Sequence, residues 1–345
     1  RYYTARAAET LGDFDRALEE YRYAIRIDPG ATDARTRAAE LLIAQNQHAL
    51  AHQLLFLEVG PHPLEVEGEI LAMYLLGRLG SPAQLQQELL ELAPRRPDRI
   101  AEALARGAEG AAELAGPGAA LSLLSGMPGI DYSKPHAAPA LRAFVRFAHD
   151  AGKPAIAAQL VEESLAKDPD SPVFAELRAQ HLGRSGAPRE TVEAAYAQAL
   201  ELDPDNAVAL AAMARLVEGT TPAEAIRLYD AAARADERDV TSRVAAARLL
   251  AALDRRNEAV SRLDAVLIEA PLSKAAAILR VEIDLERGSV DEATLGLALR
   301  AARLSPGAED RERVDRVRAR LKGPRDSPNA EPDGSIGSSA QTTGN

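Results

Sequence analysis

Two histidines four residues apart, His48 and His52 in the phrase HALAH, are the first residues whose type and spacing could do chemistry. On a helix they share one face, the arrangement with which metalloprotease helices hold zinc, and His62 would be a third ligand. Ala49 stands where that motif needs its general-base glutamate, so the pair reads better as two histidines on a helix surface. Gly107, Gly110, Gly116 and Gly118 invite comparison with a phosphate-cradling loop. No strand-like run precedes them and no Gly-Lys-Ser/Thr follows, so helix breaks in an irregular unit explain them better. Adjacent carboxylates such as Glu162 and Glu163 point different ways from a helix and read as solvated surface. No local motif assembles Ser, His and Asp. The absence of cysteine removes thiolate nucleophiles, disulfides and Cys-ligated zinc. The expectation is a protein that is not an enzyme, with no cofactor and no metal.

What must position these residues is a set of helices at a fixed spacing. Helix-like runs end at Pro29, Pro63, Pro97, Pro169, Pro204, Pro271 and Pro306, and the first two intervals are both 34 residues (63 − 29 and 97 − 63). Near-identical phrases close several of them: AIRIDP at Pro29, LAKDP at Pro169, ALELDP at Pro204. A period in this range means stacked supersecondary units, each burying its apolar face against its neighbours. That design also accounts for a length of 345 residues, more than one compact core usually holds. Aromatic residues make up 4% and Trp is absent, so the core must be mostly Ala and Leu.

The formal net charge of −11 disfavours general binding to a phosphate backbone, and no nucleic-acid partner is expected. No apolar run approaches bilayer length. Arg1 falls in mid-repeat, which raises the expectation that a segment has been removed, and membrane attachment would come only through it. Freedom from cysteine fits a reducing cytoplasm and equally many bacterial secreted chains, so it assigns neither cytoplasmic nor periplasmic location. The Ala/Arg/Leu/Pro-rich composition suits a GC-rich bacterium.

Residues 4–29, TARAAETLGDFDRALEEYRYAIRIDP, resemble the tetratricopeptide repeat, a helix–turn–helix unit of about thirty-four residues. Ala5 takes the small position of the first helix, Gly12-Asp13-Phe14 the turn, and Ala17, Tyr21 and Ala24 the small–large–small face of the second. Pro29 closes the unit. The pattern recurs through Gly152, Ala157, Val161, Ser164 and Pro169, then through Gly186, Tyr196, Ala199 and Pro204. Ala225, Tyr229 and Ala232 follow, with Glu237 in place of the closing proline. Ala259, Leu263 and Pro271, then Gly288, Ala293 and Pro306, complete the series. Residues 30–63 fit through Ala51, Leu55 and Pro63, with Asn46 where glycine is usual. The stretch 64–135 departs from the pattern, and Pro94 and Pro97 compete for one closing slot. The expected organisation is an N-terminal repeat block at 1–124, an irregular joint at 125–135 and a C-terminal repeat block at 136–306. A capping helix at 307–322, with Val314, Val317 and Leu321 on one stripe, and a disordered tail at 323–345 follow.

The resemblance implies an all-α fold: a right-handed α-solenoid of about nine stacked hairpins, whose first helices line a concave groove. It implies a non-catalytic protein–protein interaction scaffold that binds a peptide segment or protein partner in that groove. The alternative is the recruitment or assembly arm of a bacterial envelope or polysaccharide-secretion enzyme system. By the family register the groove carries Arg6, Arg146, Arg215 and Arg248, with Arg142 one turn before Arg146. Arginines so placed suit an acidic peptide, because guanidinium and carboxylate pair through two hydrogen bonds. The competing reading pairs them internally with groove carboxylates such as Glu40, Glu218 and Glu282. The Lys/Asn clamp of chaperone-binding members and the asparagine ladder of glycosyltransferase-linked members are both absent. In the basic run 311–322, interleaved Glu312 and Asp315 favour a salt-bridged cap over a docking site.

Overall fold

The computed structural model describes residues 1–56, 64–80 and 82–322; His62, Pro63, Ser81 and the tail 323–345 lie outside the described residues. These fold into nineteen α-helices and one short 3-10 turn, with no strand among the described residues. Antiparallel pairs follow in chain order. They are α1 (Tyr2–Thr10) with α2 (Phe14–Ile27), α3 (Thr32–Ala44) with α4 (His48–Phe56), and α5 (Val66–Arg78) with α6 (Pro82–Arg95). Next come α7 (Ile100–Ala115) with α8 (Pro117–Gly126), α9 (Ala138–Asp150) with α10 (Pro154–Lys167), and α11 (Pro172–Arg184) with α12 (Arg189–Leu202). The last three are α13 (Ala207–Val217) with α14 (Pro222–Ala235), α15 (Val240–Ala252) with α16 (Arg256–Glu269), and α17 (Lys274–Arg287) with α18 (Glu292–Arg303). A single helix, α19 (Ala308–Leu321), ends the stack. The nine hairpins stack one on the next as an α-solenoid.

The first pair shows why the sequence folds this way. Gly12 turns the chain at φ +76°, where a Cβ would be strained. The Asp13 carboxylate then caps α2, accepting from the Arg16 amide at 3.4 Å. Phe14, Ala17, Tyr21 and Ile25 form the buried face of α2. The left-handed turn recurs at Asn46, Gly80, Gly116, Gly152, Gly186, Asp254 and Gly288, so the period is written in the backbone (46 − 12 and 80 − 46 are both 34). Asn46 adopts φ +62° where glycine is usual, as asparagine can.

The degenerate stretch contains a correction to the sequence reading. Gly107 and Gly110 do not break a helix; both lie within α7. A Cβ on Gly110 would sit 2.1 Å from the Tyr74 carbonyl oxygen, and one on Gly77 would sit 2.2 Å from the Gly107 carbonyl oxygen. The backbones of α5 and α7 touch, and only glycine permits the approach. Close packing therefore offsets the roughly 1 kcal/mol that glycine costs inside a helix. Pro94 lies inside the last turn of α6, and Pro97 falls just beyond it.

Between α8 and the 3-10 turn Pro135–Ala137 the chain is irregular yet packed. The Tyr132 hydroxyl donates to the Leu124 carbonyl at 2.7 Å, its ring meets Phe144, and its carbonyl accepts from Ser164 Oγ at 3.3 Å. One buried cluster runs from Ala5 to Leu177 across this segment. At the far end Val314 and Val317 of α19 bury against Val281 and Ala298, and Arg313 and Arg316 donate to Glu282.

Candidate functional site

Successive first helices pack on one another at α3/α5, α5/α7, α7/α9, α9/α11 and α15/α17, whereas successive second helices do not pack to that extent. The first helices therefore hold the inside of the curve. Their polar side chains form cross-helix ion pairs. Arg37 of α3 bonds Glu40 at 2.6 Å and also Glu9 of α1, which accepts from Arg6 at 3.3 Å and from the Tyr21 hydroxyl at 2.6 Å. Arg146 of α9 reaches Glu109 of α7 at 3.0 Å. Arg142 of α9 donates through Nε and Nη2 to Glu176 Oε2 of α11, at 2.9 and 2.6 Å. Arg248 of α15 donates to Glu218 just after α13, at 2.8 Å.

Burial decides what these groups can do. Glu176 is fully buried, which pushes its carboxyl up against the pull of Arg142. Burial also raises Tyr74, whose hydroxyl donates to Glu113 at 2.8 Å, to about 12. Burial alone would raise Glu218 too, but hydrogen bonds from Tyr229 and Arg248 hold its carboxyl below the ordinary range. Glu218 is thus an anion already bonded.

The structure separates the five candidate arginines. Arg6 stands with Arg37 around Glu9, and Arg142 and Arg146 are committed to neighbouring helices. Arg215 and Arg248 share a cavity of about 650 Å³ between α13 and α15. Its floor is small and apolar, with Val208, Ala211 and Ala245. Arg238 of the α14–α15 loop joins them, a residue the sequence reading did not single out. The signal for it was faint: a lone basic residue among Asp236, Glu237 and Asp239. Two of those carboxylates are occupied by backbone, Asp236 by the Arg238 amide at 3.0 Å and Asp239 by the Ser242 amide at 2.9 Å. Arg215 and Arg238 are exposed, and their guanidiniums make no hydrogen bond or ion pair among the described residues. Of the competing carboxylates, Glu218 bonds Arg248, Glu40 bonds Arg37, and Glu282 bonds Arg313 and Arg316.

His48 and His52 lie on α4. His48 Nε2 is 3.3 Å from the Tyr74 hydroxyl, and His52 stacks on Phe56 with ring centroids 4.5 Å apart. No group of three or more potential metal ligands occurs among the described residues.

A curved stack of antiparallel helix pairs, with first helices inside and second helices outside, defines a helical-repeat solenoid. Residues 10–57 match the family model of the tetratricopeptide repeat, and the same positive-φ turn recurs along the chain. No curated protein matches it significantly. Among solved structures, a chain of the APC/C hetero-tetramer Cut9-Hcn1 is 13% identical with a TM-score of 0.48, covering 88% of this chain and 59% of that one. This chain thus spans less than two thirds of that chain's length. A chain of the human IFIT1 dimer with m7Gppp-AAAA is 14% identical with a TM-score of 0.49, covering 89% and 77%. Stacked tetratricopeptide repeats form a protein-interaction scaffold.

Proposed function

We propose that the chain is a non-catalytic scaffold that binds a carboxylate-bearing peptide segment of a protein partner on its concave face, in the cavity between α13 and α15. The observation that carries this reading is the state of its cations. The Arg215 and Arg238 guanidiniums make no hydrogen bond or ion pair among the described residues, while the nearby carboxylates are already bonded to Arg248, to Tyr229 or to backbone. An incoming carboxylate meets two free guanidinium forks, and the alanine floor leaves room for its backbone. The tyrosine hydroxyl in the wall is spent on Glu218, so the set is suited to binding rather than reaction. Arg6, Arg142 and Arg146 act on the partner only secondarily, because each must first leave a carboxylate of its own stack.

The test is fluorescence anisotropy with a labelled deca-glutamate peptide. The chain as it stands should bind, with affinity falling as salt rises. An Arg215→Glu/Arg238→Glu variant of unchanged helicity should bind at least about ten-fold more weakly, a loss of about 1.4 kcal/mol or more. Equal binding by both would sink the assignment.

A further inference from the structure

The two ends of the stack meet. Arg300 of α18 is only 6% exposed, and its guanidinium leaves its own hairpin. Nε donates to the Pro271 carbonyl at 3.0 Å, Nη2 to the Leu267 carbonyl at 3.2 Å, and Nη1 to the Thr10 carbonyl at 3.2 Å. Thr10 is the last residue of α1, and Leu267 lies in the last turn of α16. A buried cation therefore sits where two helices end, on carbonyls that lack helical partners and carry the negative end of the dipole. Its stem lies on bare backbone: a Cβ on Gly12 would be 3.0 Å from Arg300 Cδ.

A second contact lies five residues on. The Ser305 amide donates to the Ala44 carbonyl at the end of α3, at 2.9 Å, and its hydroxyl adds a bond at 3.2 Å. The Ser305 carbonyl accepts from Lys274 Nζ at 2.7 Å. Ser305 is held at φ +49°, which costs a residue with a Cβ about 1–2 kcal/mol. Between the two contacts, Leu304 is buried in the same cluster as Ala5 and Phe14.

The α16–α17 and α18–α19 connections thus rest on the α1–α2 and α3–α4 turns, and one superhelical turn is closed on itself. With its two ends joined among the described residues, such a turn would take a bound segment in along its axis. The seam is narrow, and most of its polar bonds go to backbone carbonyls, the kind of small contact across which relative motion is the default. We infer that this seam is a latch held by Arg300 and Ser305: shut, it admits to the groove only a free chain end, and open, it admits an internal segment of a partner. The binding half of this inference rests on the acidic-segment reading above; the latch itself does not.

The absence of cysteine makes the test clean. Spin labels at Gln47→Cys and Glu309→Cys report the seam by electron–electron distance. A single short distance is expected, which lengthens and broadens in Arg300→Ala while far-UV circular dichroism stays unchanged. An unchanged distance in a folded Arg300→Ala variant overturns the latch. Should that variant lose helicity, a reducible Ala44→Cys/Ser305→Cys pair takes its place, with labelled deca-glutamate offered linear or head-to-tail cyclised. Oxidation should weaken the cyclic peptide by about ten-fold or more, about 1.4 kcal/mol, and leave the linear one nearly unchanged. An equal response of both peptides to oxidation overturns chain-end access. If neither peptide binds in any state, the acidic-segment reading fails, and the distance measurement still decides the latch.

Discussion

Adding one methyl group at Gly110 should damage this fold, although the same change at Gly296 should improve it. Both glycines lie inside helices, α7 and α18, where alanine is favoured by about 1 kcal/mol. At Gly296 nothing lies within 4 Å of the new Cβ, so the helix preference is realised and Gly296→Ala should stabilise by about 0.5–1 kcal/mol. At Gly110 the Cβ would meet the Tyr74 carbonyl oxygen at 2.1 Å and the Arg78 amide nitrogen at 2.7 Å. These are backbone atoms of α5 and cannot rotate away. Reaching even 3.0 Å requires the helices to part by roughly 1 Å, which strains the core and loosens Leu75, Leu76, Leu104 and Ala108 around the contact. Overpacking of this kind costs about 3 kcal/mol, so the net loss after the helix preference is about 2 kcal/mol. Thermal melting followed by circular dichroism should show Gly110→Ala lowered by several degrees, at about 2–4 °C per kcal/mol, and Gly296→Ala raised. A Gly110→Ala variant as stable as the parent would refute the claim that the α5 and α7 backbones touch.

Arg142 and Arg215 should part company in a stability assay. Arg142→Ala removes the partner of fully buried Glu176, whose Oε1 already lacks a hydrogen bond, and should cost about 2–3 kcal/mol in urea denaturation. Arg215→Ala should stay within about 0.5 kcal/mol, since Arg215 is exposed and makes no hydrogen bond or ion pair among the described residues. The pair His149 Nε2···His181 Nδ1, 3.0 Å apart beside the Arg184–Asp150 bridge, gives a pH prediction. Burial lowers both imidazoles, and repulsion from His181 and then from Arg184 lowers His149 further. A lowered folded pKa contributes stability that is present above the unfolded value of about 6.5 and is lost as pH falls through the folded pKa. Acid should therefore weaken the chain, and His181→Gln should flatten that slope in melts between pH 7.5 and 5; an unchanged slope would count against the pair. Asn46→Gly should gain up to about 1 kcal/mol on chemical denaturation, because glycine adopts φ +62° without cost.

The period was legible because it is written in residues with local jobs. Gly12 must turn left-handed, Asp13 caps, and Pro29 cannot continue a helix; each acts within a few residues of itself. What stayed hidden depends on neighbours far along the chain. Gly107 and Gly110 read as breaks because a glycine that ends a helix and one that admits a second backbone look alike until α5 is beside them. The five groove arginines read alike for the same reason. All lie on first helices, but Glu9, Glu109, Glu176 and Glu218 decide which are spent, and no spacing rule ranks Arg215 above Arg142. Arg300 is the extreme case. A charged residue in a repeat's second helix looks like surface, and only the closure of the superhelical turn, which brings Thr10 to it across 290 residues, makes it a buried cation. Local chemistry thus fixes each hairpin, while curvature, the sum of many small rotations between hairpins, decides which of their polar groups remain free to meet a partner.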